Sequence, residues 1–242
     1  MGSLGDSTAS FSAPTEVISA DGLLFDFDGT IIDSTEAIVK HWQRLGHEMG
    51  VDPEVILATS HGRRSIDVLR LYDESKANWE YISELEGRIP KEFGQDADEI
   101  PGARSLLHNL DAAHAPWAVV TSGTRALITG WIERLKLAKP EVLVVAEEVS
   151  NGKPDPEGYL LGRERLGLQD KQNMIVFEDA PSGIRAGKAA GFRVVGLATT
   201  HTLEQVRKAG ADWIIKDLRS ISLKSVENGV ISIAIHDALV DS

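Results

Sequence analysis

The chain has 242 residues, 42% of them hydrophobic and 26% charged, which suits one large soluble domain or a domain with a sizeable insertion. Its formal net charge of −12 argues against a nucleic-acid partner, because binding to a phosphate backbone requires a basic surface. Since the chain has no cysteine, we expect neither a disulfide nor a thiolate metal site. It has no apolar run near the roughly 18 residues of a membrane helix, so we expect no membrane partner. We predict a cytoplasmic protein.

The N-terminal segment is rich in Ser, Gly, Thr and Ala. It lacks the basic start and the continuous apolar stretch that a secretory signal requires. We therefore predict a disordered arm over residues 1–19.

An apolar strand is predicted directly after this arm, in the stretch "GLLFDFDGT" at residues 22–30. Asp26 and Asp28 interrupt its apolar run, and Gly29 permits a sharp turn behind them. A calcium-binding loop is excluded, because that pattern requires Gly at its sixth position, where this chain has Ile31. A solvated strand terminus and an acidic site at the end of the strand both remain open.

The next interval, residues 34–99, contains helical stretches such as "EAIVKHWQRLGHEMG" and "NWEYISELEGRIPKEFG" and no convincing strand. An insertion just after the first strand would lie over the carboxyl ends of a parallel sheet, where ligands of open α/β folds bind. We therefore predict an all-helical cap over residues 34–99.

From about residue 101 onward, short Val/Ile-rich runs alternate with helical stretches that close on Gly or turn residues. Repeated strand-helix units of this length predict an α/β fold, in which a parallel sheet is covered by helices on both faces. The core is expected to comprise residues 20–33 and 100–242. The closing "NGVISIAIHDALV" predicts one more strand, from about residue 230 to 236, at a sheet edge.

Groups that could bind phosphate follow two later strands. Thr121, Ser122 and Gly123 stand between a strand and a helical stretch, although a simple helix N-cap would have the same composition. Lys153 precedes Pro154, which holds its backbone extended beside a predicted helix start. A lysine anchored there can complete an anion site, although most lysines are solvated surface charges.

Two further acidic residues, Glu178 and Asp179, end the apolar run of "NMIVFED". They could merely favour the dipole of the following helix. Neighbouring parallel strands would, however, bring them close to Asp26 and Asp28, and four carboxylates repel one another unless a cation neutralises them. The sequence therefore predicts a hard divalent ion, Mg2+. Several histidines lack acidic partners at ligand spacing and are expected to be structural or solvent-facing: His41, His47, His108, His114 and His201.

Four motifs occur in order along residues 22–217, namely "DFDGT", "VVTSG", "GKPDP" and "FEDAPSGIRAG". Together they resemble the haloacid dehalogenase-like hydrolase superfamily, and the helical insertion resembles the C1 cap of its subfamily I. The resemblance implies a Rossmann-like doubly wound core with an inserted all-helical C1 cap, a Mg2+ cofactor and a phosphoaspartyl intermediate.

Carried onto this sequence, the resemblance makes Asp26 the nucleophile and Asp28 the general acid and base. Family members that cleave carbon-halogen bonds usually lack an Asp two residues after the nucleophile, because a halide leaving group needs no proton. Asp28 therefore favours phosphoryl transfer. The resemblance also implies metal ligation by Asp26, the Asp28 carbonyl, Asp179 and Glu178, the last directly or through water, and phosphate binding by Thr121, Ser122, Gly123 and Lys153.

The cap phrases "SHGRRSIDVL" and "LEGRIPKEFG" are similar to the fungal 2-deoxyglucose-6-phosphate and glycerol-3-phosphate phosphatases. That resemblance implies a small sugar or polyol phosphate as substrate. His61, Arg63 and Arg64 are the residues most expected to face the leaving group, with Glu86 and Arg88 as weaker candidates. A structural turn and a solvated basic face are the alternatives for these positions.

The main hypothesis is thus a monomeric Mg2+-dependent phosphatase acting on small sugar or polyol phosphate monoesters. A sugar phosphomutase would use the same core chemistry. A phospho-accepting regulatory module of receiver type would also join Asp, Thr and Lys around Mg2+, but such modules are about half this length and lack a helical cap.

Overall fold

A computed structural model of the protein describes residues 10–60 and 62–240. The strands of this part of the chain are β1 (Ser10–Phe11), β2 (Glu16–Ala20), β3 (Gly22–Phe25), β4 (Ile32–Asp33), β5 (Asp98–Glu99), β6 (Trp117–Val120), β7 (Val142–Val144), β8 (Met174–Glu178), β9 (Arg193–Leu197), β10 (Trp213–Ile215), β11 (Ile221–Glu227), β12 (Val230–Ile235) and β13 (Leu239–Val240).

The helices are α1 (Thr35–Met49), α2 (Pro53–Ser60), α3 (Ser65–Tyr72), α4 (Trp79–Glu92), α5 (Ala103–Ala112), α6 (Arg125–Leu135), α7 (Glu157–Arg165), α8 (Pro181–Ala189) and α9 (Leu203–Ala209). Short 3-10 helices cover Glu74–Lys76, Ala146–Glu148 and Leu218–Ser220. Within the described ranges, none of the helices has the length and apolar character needed to cross a membrane.

Six parallel strands form the central sheet in the order β10-β9-β8-β3-β6-β7. At its centre, Leu24 of β3 pairs with Val176 of β8 and with Ala118 of β6. Because side chains alternate along a strand, Leu23 and Phe25 join one apolar cluster with α5 and α6, whereas Leu24 joins a second cluster with α7 and α8. Helices thus cover both faces, which confirms the predicted doubly wound α/β fold.

A second, antiparallel sheet has the order β11-β12-β2. Its strand β2 pairs with β12, and β1 pairs with β13. The prediction of a disordered arm is therefore wrong for these parts of residues 10–19, whereas residues 1–9 lie outside the described chain. Ile18 and Ala20 of β2 are buried, so this strand gains its order by packing against the core. The expected edge position of the last long strand is also wrong, because β12 lies between two neighbours.

The helices α1 to α4 form an insertion between β4 and β5, which pair with each other and bring its two ends together. We call residues 34–99 the helical insertion. It has an apolar cluster of its own, in which Trp42, Ile56, Leu69 and Ile82 are buried. The prediction of an all-helical cap over residues 34–99 is wrong at its end, because Asp98–Glu99 form β5; up to residue 97 the described part contains no strand. The division of the chain at residues 34 and 99 into two domains stays a prediction.

Candidate active site

The candidate site lies where the central strands β3, β6 and β8 end. Asp26 follows β3, Thr121 follows β6, and Glu178 is the last residue of β8. The sheet continues into these residues, since the Asp26 N–H donates to the Phe177 carbonyl at 3.0 Å and the Thr121 N–H to the Val144 carbonyl at 3.0 Å. Parallel neighbours therefore present the three side chains at one edge of the sheet.

The turn after β3 requires a glycine. Gly29 has φ +88°, a conformation that side chains on L-residues rarely adopt, and a Cβ at this position would lie 2.3 Å from an Asp179 carboxylate oxygen. The turn is closed by N–H groups of Thr30 and Ile31 that donate to the Phe27 carbonyl at 3.3 and 2.8 Å. It follows that Gly29 allows Asp179 to approach the chain that carries the two aspartates.

Three carboxylates form a buried cluster at the end of the sheet. Oxygen atoms of Asp26, Glu178 and Asp179 all lie within 4.8 Å of one another. Burial raises the pKa of Asp26 well above its ordinary value and raises the pKa of Glu178, while Lys153 opposes both shifts. Oxygen donors at this spacing, with like charges in need of a counter-ion, fit a hard divalent cation such as Mg2+.

Lys153 enters this cluster from the loop before α7. Its ammonium lies 2.6 Å from Asp26 Oδ1, 2.7 Å from Glu178 Oε1 and 3.2 Å from the Val120 carbonyl. Burial alone would lower the pKa of Lys153, but the two carboxylates raise it above its ordinary value. The lysine is thus held in its charged form between the two acids, as expected for a side chain that completes an anion site.

Glu178 is fixed by more donors than the sequence predicts. Besides Lys153, the hydroxyl of the fully buried Tyr159 donates to its Oε1 at 2.9 Å, and the Ala180 N–H donates to its Oε2 at 2.9 Å. A Cβ at Gly183 would lie 1.5 Å from Glu178 Oε1, so this glycine lets α8 pack directly on the carboxylate. Sequence reasoning missed Tyr159, which looks like an ordinary core residue of a helical stretch.

Asp28 occupies a different environment from Asp26. It is partly exposed and accepts a hydrogen bond from Ser34 Oγ at 2.5 Å. Burial raises its pKa to about 6, and the hydrogen bond from Ser34 opposes this shift. A carboxyl group with this pKa can both release and accept a proton near neutral pH.

The loop after β6 places the predicted phosphate-binding residues at the same cavity. Thr121 is 5% exposed, and its Oγ1 accepts a hydrogen bond from the Gly123 N–H at 3.0 Å. Ser122 instead directs its hydroxyl to the helical insertion, where it donates to the Gly62 carbonyl at 3.0 Å. Ser122 therefore lines the cavity and also connects the core to the insertion.

One cavity of about 100 Å3 joins these residues to the helical insertion. Asp26, Asp28 and Asp179 line it from the core, and Arg63 and Glu86 line it from the insertion. A cavity of this size suits a small ligand beside the carboxylates. The predicted position of the insertion over the strand ends thus agrees with the structure.

Two of the five candidate cap residues, Arg63 and Glu86, lie at the cavity. Arg63 is exposed and Glu86 is 5% exposed, and both line the cavity. His61 lies outside the described residues. These placements are compatible with the predicted contacts of Arg63 and Glu86 to a leaving group.

Arg64 and Arg88 do not line this cavity, which contradicts the expectation that they face the leaving group. The Arg64 guanidinium is buried, where it pairs with Asp67 at 2.7 Å and donates to the carbonyls of Val149 and Ser150 at 2.7 and 3.1 Å. It therefore attaches the insertion to a core loop. Arg88 is exposed on α4 and pairs with a glutamate one turn earlier.

His201 is the main residue of the cavity that sequence reasoning missed. Its Nδ1 lies 3.8 Å from an Asp179 oxygen and 2.8 Å from Thr200 Oγ1, and its side chain lines the cavity. The expectation that it has no acidic partner is therefore wrong, whereas its structural or solvent-facing role stays a prediction. Spacing along the chain could not show the contact, because Asp179 follows β8 and His201 follows β9. Its position just beyond a strand end was the available signal.

A parallel sheet with acidic residues, a lysine and a threonine at its central strand ends defines a class of α/β hydrolases. The haloacid dehalogenase-like hydrolase family matches residues 23–197, and the chain belongs to this family.

Two relatives from Saccharomyces cerevisiae are similar over most of the chain. Glycerol-1-phosphate phosphohydrolase 1 is 43% identical over 212 residues, which cover 84% of this chain and 85% of that protein. 2-Deoxyglucose-6-phosphate phosphatase 1 is 40% identical over 232 residues, which cover 88% of this chain and 94% of that protein. The crystal structure of a hydrolase from Pseudomonas syringae shares the fold with a TM-score of 0.71 and 24% identity, and covers 81% of this chain and 94% of its own.

Proposed function

We propose that this protein is a Mg2+-dependent phosphatase that hydrolyses small sugar or polyol phosphate monoesters through a phosphoaspartyl intermediate on Asp26. The observation that carries the proposal is that Asp26, Asp28 and Thr121 line one small cavity beneath the helical insertion, while Lys153 pairs with Asp26 from behind it. The two yeast relatives act, by their names, on phosphate esters of a polyol and of a sugar.

Asp26 is the proposed nucleophile because it lies at the end of β3 with one oxygen fixed by Lys153. The contact with the ammonium favours the ionised carboxylate, which nucleophilic attack on phosphorus requires. The second oxygen of Asp26 is the one that would attack. The phosphoryl group then passes to Asp26, and the bond to the leaving oxygen breaks.

Asp28 is the proposed general acid and base. With a pKa raised to about 6, it can protonate the departing alkoxide and then take a proton from the water that hydrolyses the phosphoaspartate. Its contact with Ser34, at the start of the helical insertion, holds it at the cavity. Asp26 and Asp28 would thus serve different roles, since Lys153 contacts Asp26 whereas Ser34 donates to Asp28.

Asp26, Asp179 and the carbonyl of Asp28 would hold Mg2+, with Glu178 acting through water. Glu178 already accepts hydrogen bonds from three donors in the protein, which favours its indirect role. When bound, Mg2+ supplies positive charge that reduces repulsion between the nucleophile and the phosphate and stabilises the transferring group. Thr121 and Lys153 would bind the remaining phosphate oxygens, together with N–H groups of Ser122 and Gly123.

The helical insertion is the proposed cap over the leaving group. Arg63 offers hydrogen-bond donors at the cavity, which suits a leaving group with several hydroxyls. The volume of about 100 Å3 favours a small substrate. Within this proposal the enzyme is cytoplasmic and monomeric and has neither a nucleic-acid nor a membrane partner.

The proposal is tested by phosphate release from a panel of esters, from glycerol phosphate to pentitol and hexose phosphates, with Mg2+ and after chelation. Asp26→Asn is expected to abolish release while the circular-dichroism spectrum stays native. Asp21→Asn, at the opposite end of β3, is the matched control and should retain full activity. Turnover by Asp26→Asn would refute the nucleophile, and accumulation of an isomeric hexose phosphate without free phosphate would identify a mutase.

A further inference from the structure

Glu86 of α4 connects two loops that both line the cavity. Its Oε2 accepts a hydrogen bond from the Thr124 N–H of the core at 2.8 Å. Its Oε1 accepts one from the hydroxyl of Ser65, the first residue of α3. Glu86 as a whole is 5% exposed, so its carboxylate contacts these protein groups more than solvent.

The Thr124 N–H depends on this carboxylate. Thr124 caps α6, where its own side chain accepts from the Leu127 N–H at 3.3 Å, and it is fully buried. The first N–H groups of a helix have no partner within the helix. Without Glu86, the Thr124 N–H would lose its acceptor in a place that water does not reach, and such a loss is costly. Thr124 also ends the loop 121–124, which carries the proposed phosphate-binding residues.

The other partner of Glu86 belongs to the loop 62–65 of the helical insertion. In this loop, the Gly62 carbonyl accepts hydrogen bonds from Ser122 Oγ at 3.0 Å and Ser182 Oγ at 3.4 Å, and Arg63 lines the cavity. The loop therefore contacts the core on one side and is held by Glu86 through Ser65 on the other.

The helix that carries Glu86 is itself fixed against the core. A Cβ at Gly87 would lie 3.1 Å from the Ala126 Cβ, so α4 and α6 are in close contact next to Glu86. One turn earlier, Ser83 Oγ donates at 3.3 Å to Glu147, which also accepts from the Arg125 N–H at 3.1 Å. The Glu86 side chain thus has little freedom to move away from the start of α6.

We propose that Glu86 is a positioning residue that holds the loop 62–65 and the phosphate-binding loop 121–124 in one arrangement. This inference rests on the proposed function, because the substrate phosphate and leaving group would bind between the two loops. Both oxygens of the Glu86 carboxylate already accept hydrogen bonds from the protein. Glu86 is therefore better suited to orient the two loops than to bind the leaving group directly.

The test compares Glu86→Ala and Glu86→Gln with Glu84→Ala, a control on the same helix whose side chain is 63% exposed. Hydrogen exchange of the Thr124 amide is measured in the absence of substrate. The dissociation constant of inorganic phosphate is then measured by calorimetry with Mg2+, and kcat and KM are determined for the best ester of the panel.

Glu86→Ala is expected to speed exchange of the Thr124 amide and to weaken phosphate binding, each by about tenfold or more, because the buried Thr124 N–H loses its acceptor. Glu86→Gln should stay within about threefold of the wild type, since its amide oxygen can accept from Thr124 and its amide hydrogens can donate to Ser65 Oγ. Glu84→Ala should change neither quantity. If Glu86→Ala does not fold, Ser65→Ala provides the comparison and should weaken phosphate binding severalfold.

Unchanged phosphate binding and unchanged Thr124 exchange in Glu86→Ala would overturn the proposal, even if the melting temperature falls. Equal loss of ester binding in Glu86→Ala and Glu86→Gln, with phosphate binding intact, would also overturn it and assign Glu86 to the leaving group. A failure of the proposed function is recognised separately, because the wild type would then release no phosphate from any ester while the exchange measurement remains valid.

Discussion

Replacing Tyr159 with Phe tests whether a side chain beneath the site fixes Glu178. The change removes one hydroxyl, which donates to Glu178 Oε1 at 2.9 Å from a fully buried position. The aromatic ring, and with it the contact to the Lys153 ammonium at 5.1 Å from the ring centroid, remains. The substitution therefore isolates the hydrogen bond from the packing.

A hydrogen bond to a charged group contributes about 1.5–3 kcal/mol, and breaking it leaves the acceptor without compensation from water when the site is buried. Glu178 keeps two other donors, Lys153 and the Ala180 N–H. We therefore expect Tyr159→Phe to lower the free energy of unfolding by about 1.5 kcal/mol, at the lower end of that range.

The measurement is urea unfolding in the presence of a chelator, followed by tryptophan fluorescence. Tyr81→Phe is the matched control, because the Tyr81 hydroxyl makes no hydrogen bond to any residue in the described part of the chain. A loss for Tyr159→Phe no larger than that for Tyr81→Phe would refute the assignment of Tyr159 as a donor that stabilises the buried carboxylate.

Four further substitutions, one of them a surface control, test the site and its surroundings. Gly29→Ala should lower the free energy of unfolding by at least about 1 kcal/mol in urea, since a positive φ disfavours Ala. Arg64→Ala should lower the melting temperature clearly, whereas Arg88→Ala, on the surface, should change stability by less than about 0.5 kcal/mol. Burial raises the pKa of Glu86 from 4.5 to about 7, so the folded protein retains a proton that the unfolded chain releases and stability falls from about pH 5 to pH 8. The free energy of unfolding, measured in urea titrations at both ends of this pH range, should fall by up to about 3 kcal/mol less in Glu86→Gln than in the wild type.

The residues at the strand ends could be predicted from the sequence because a parallel sheet imposes their proximity. Asp26, Thr121 and Glu178 each follow or end an apolar run, and neighbouring parallel strands end on the same side. Lys153 could be added because Pro154 restricts the backbone beside it. For these positions, local pattern and fold class together determine the location of the side chain.

The cap arginines could not be assigned in this way. Arg63 and Arg64 are adjacent in sequence, yet Arg63 is exposed at the cavity and Arg64 is buried against the carbonyls of Val149 and Ser150. Which of two neighbouring side chains turns inward depends on how the insertion docks on a core loop more than eighty residues away. No periodicity in the cap sequence contains that information.

The N-terminal strand β2 is a second feature that the sequence alone could not predict. Residues 16–20 form β2 because β12, more than two hundred residues later, offers a free edge and a core that buries Ile18. Alone, this short segment between polar residues has neither the length nor the alternation of a clear strand. Its order is a consequence of tertiary pairing, so composition alone favoured disorder.

The charges of the buried cluster explain why binding of metal and of phosphate should be linked. Asp26, Glu178 and Asp179 with Lys153 carry a formal charge of −2 when the acids are ionised. Two unit charges about 4 Å apart interact by about 4 kcal/mol at an effective dielectric constant of about 20, so a phosphate dianion is strongly repelled from this cluster. A divalent cation would neutralise the formal charge of −2 on the cluster. We therefore expect Mg2+ to tighten binding of inorganic phosphate by at least about tenfold, and phosphate must then tighten Mg2+ binding by the same factor. Equal phosphate affinity with Mg2+ and with chelator, measured by calorimetry, would show that Lys153 and the loop N–H groups suffice and that the carboxylates do not act as a metal site.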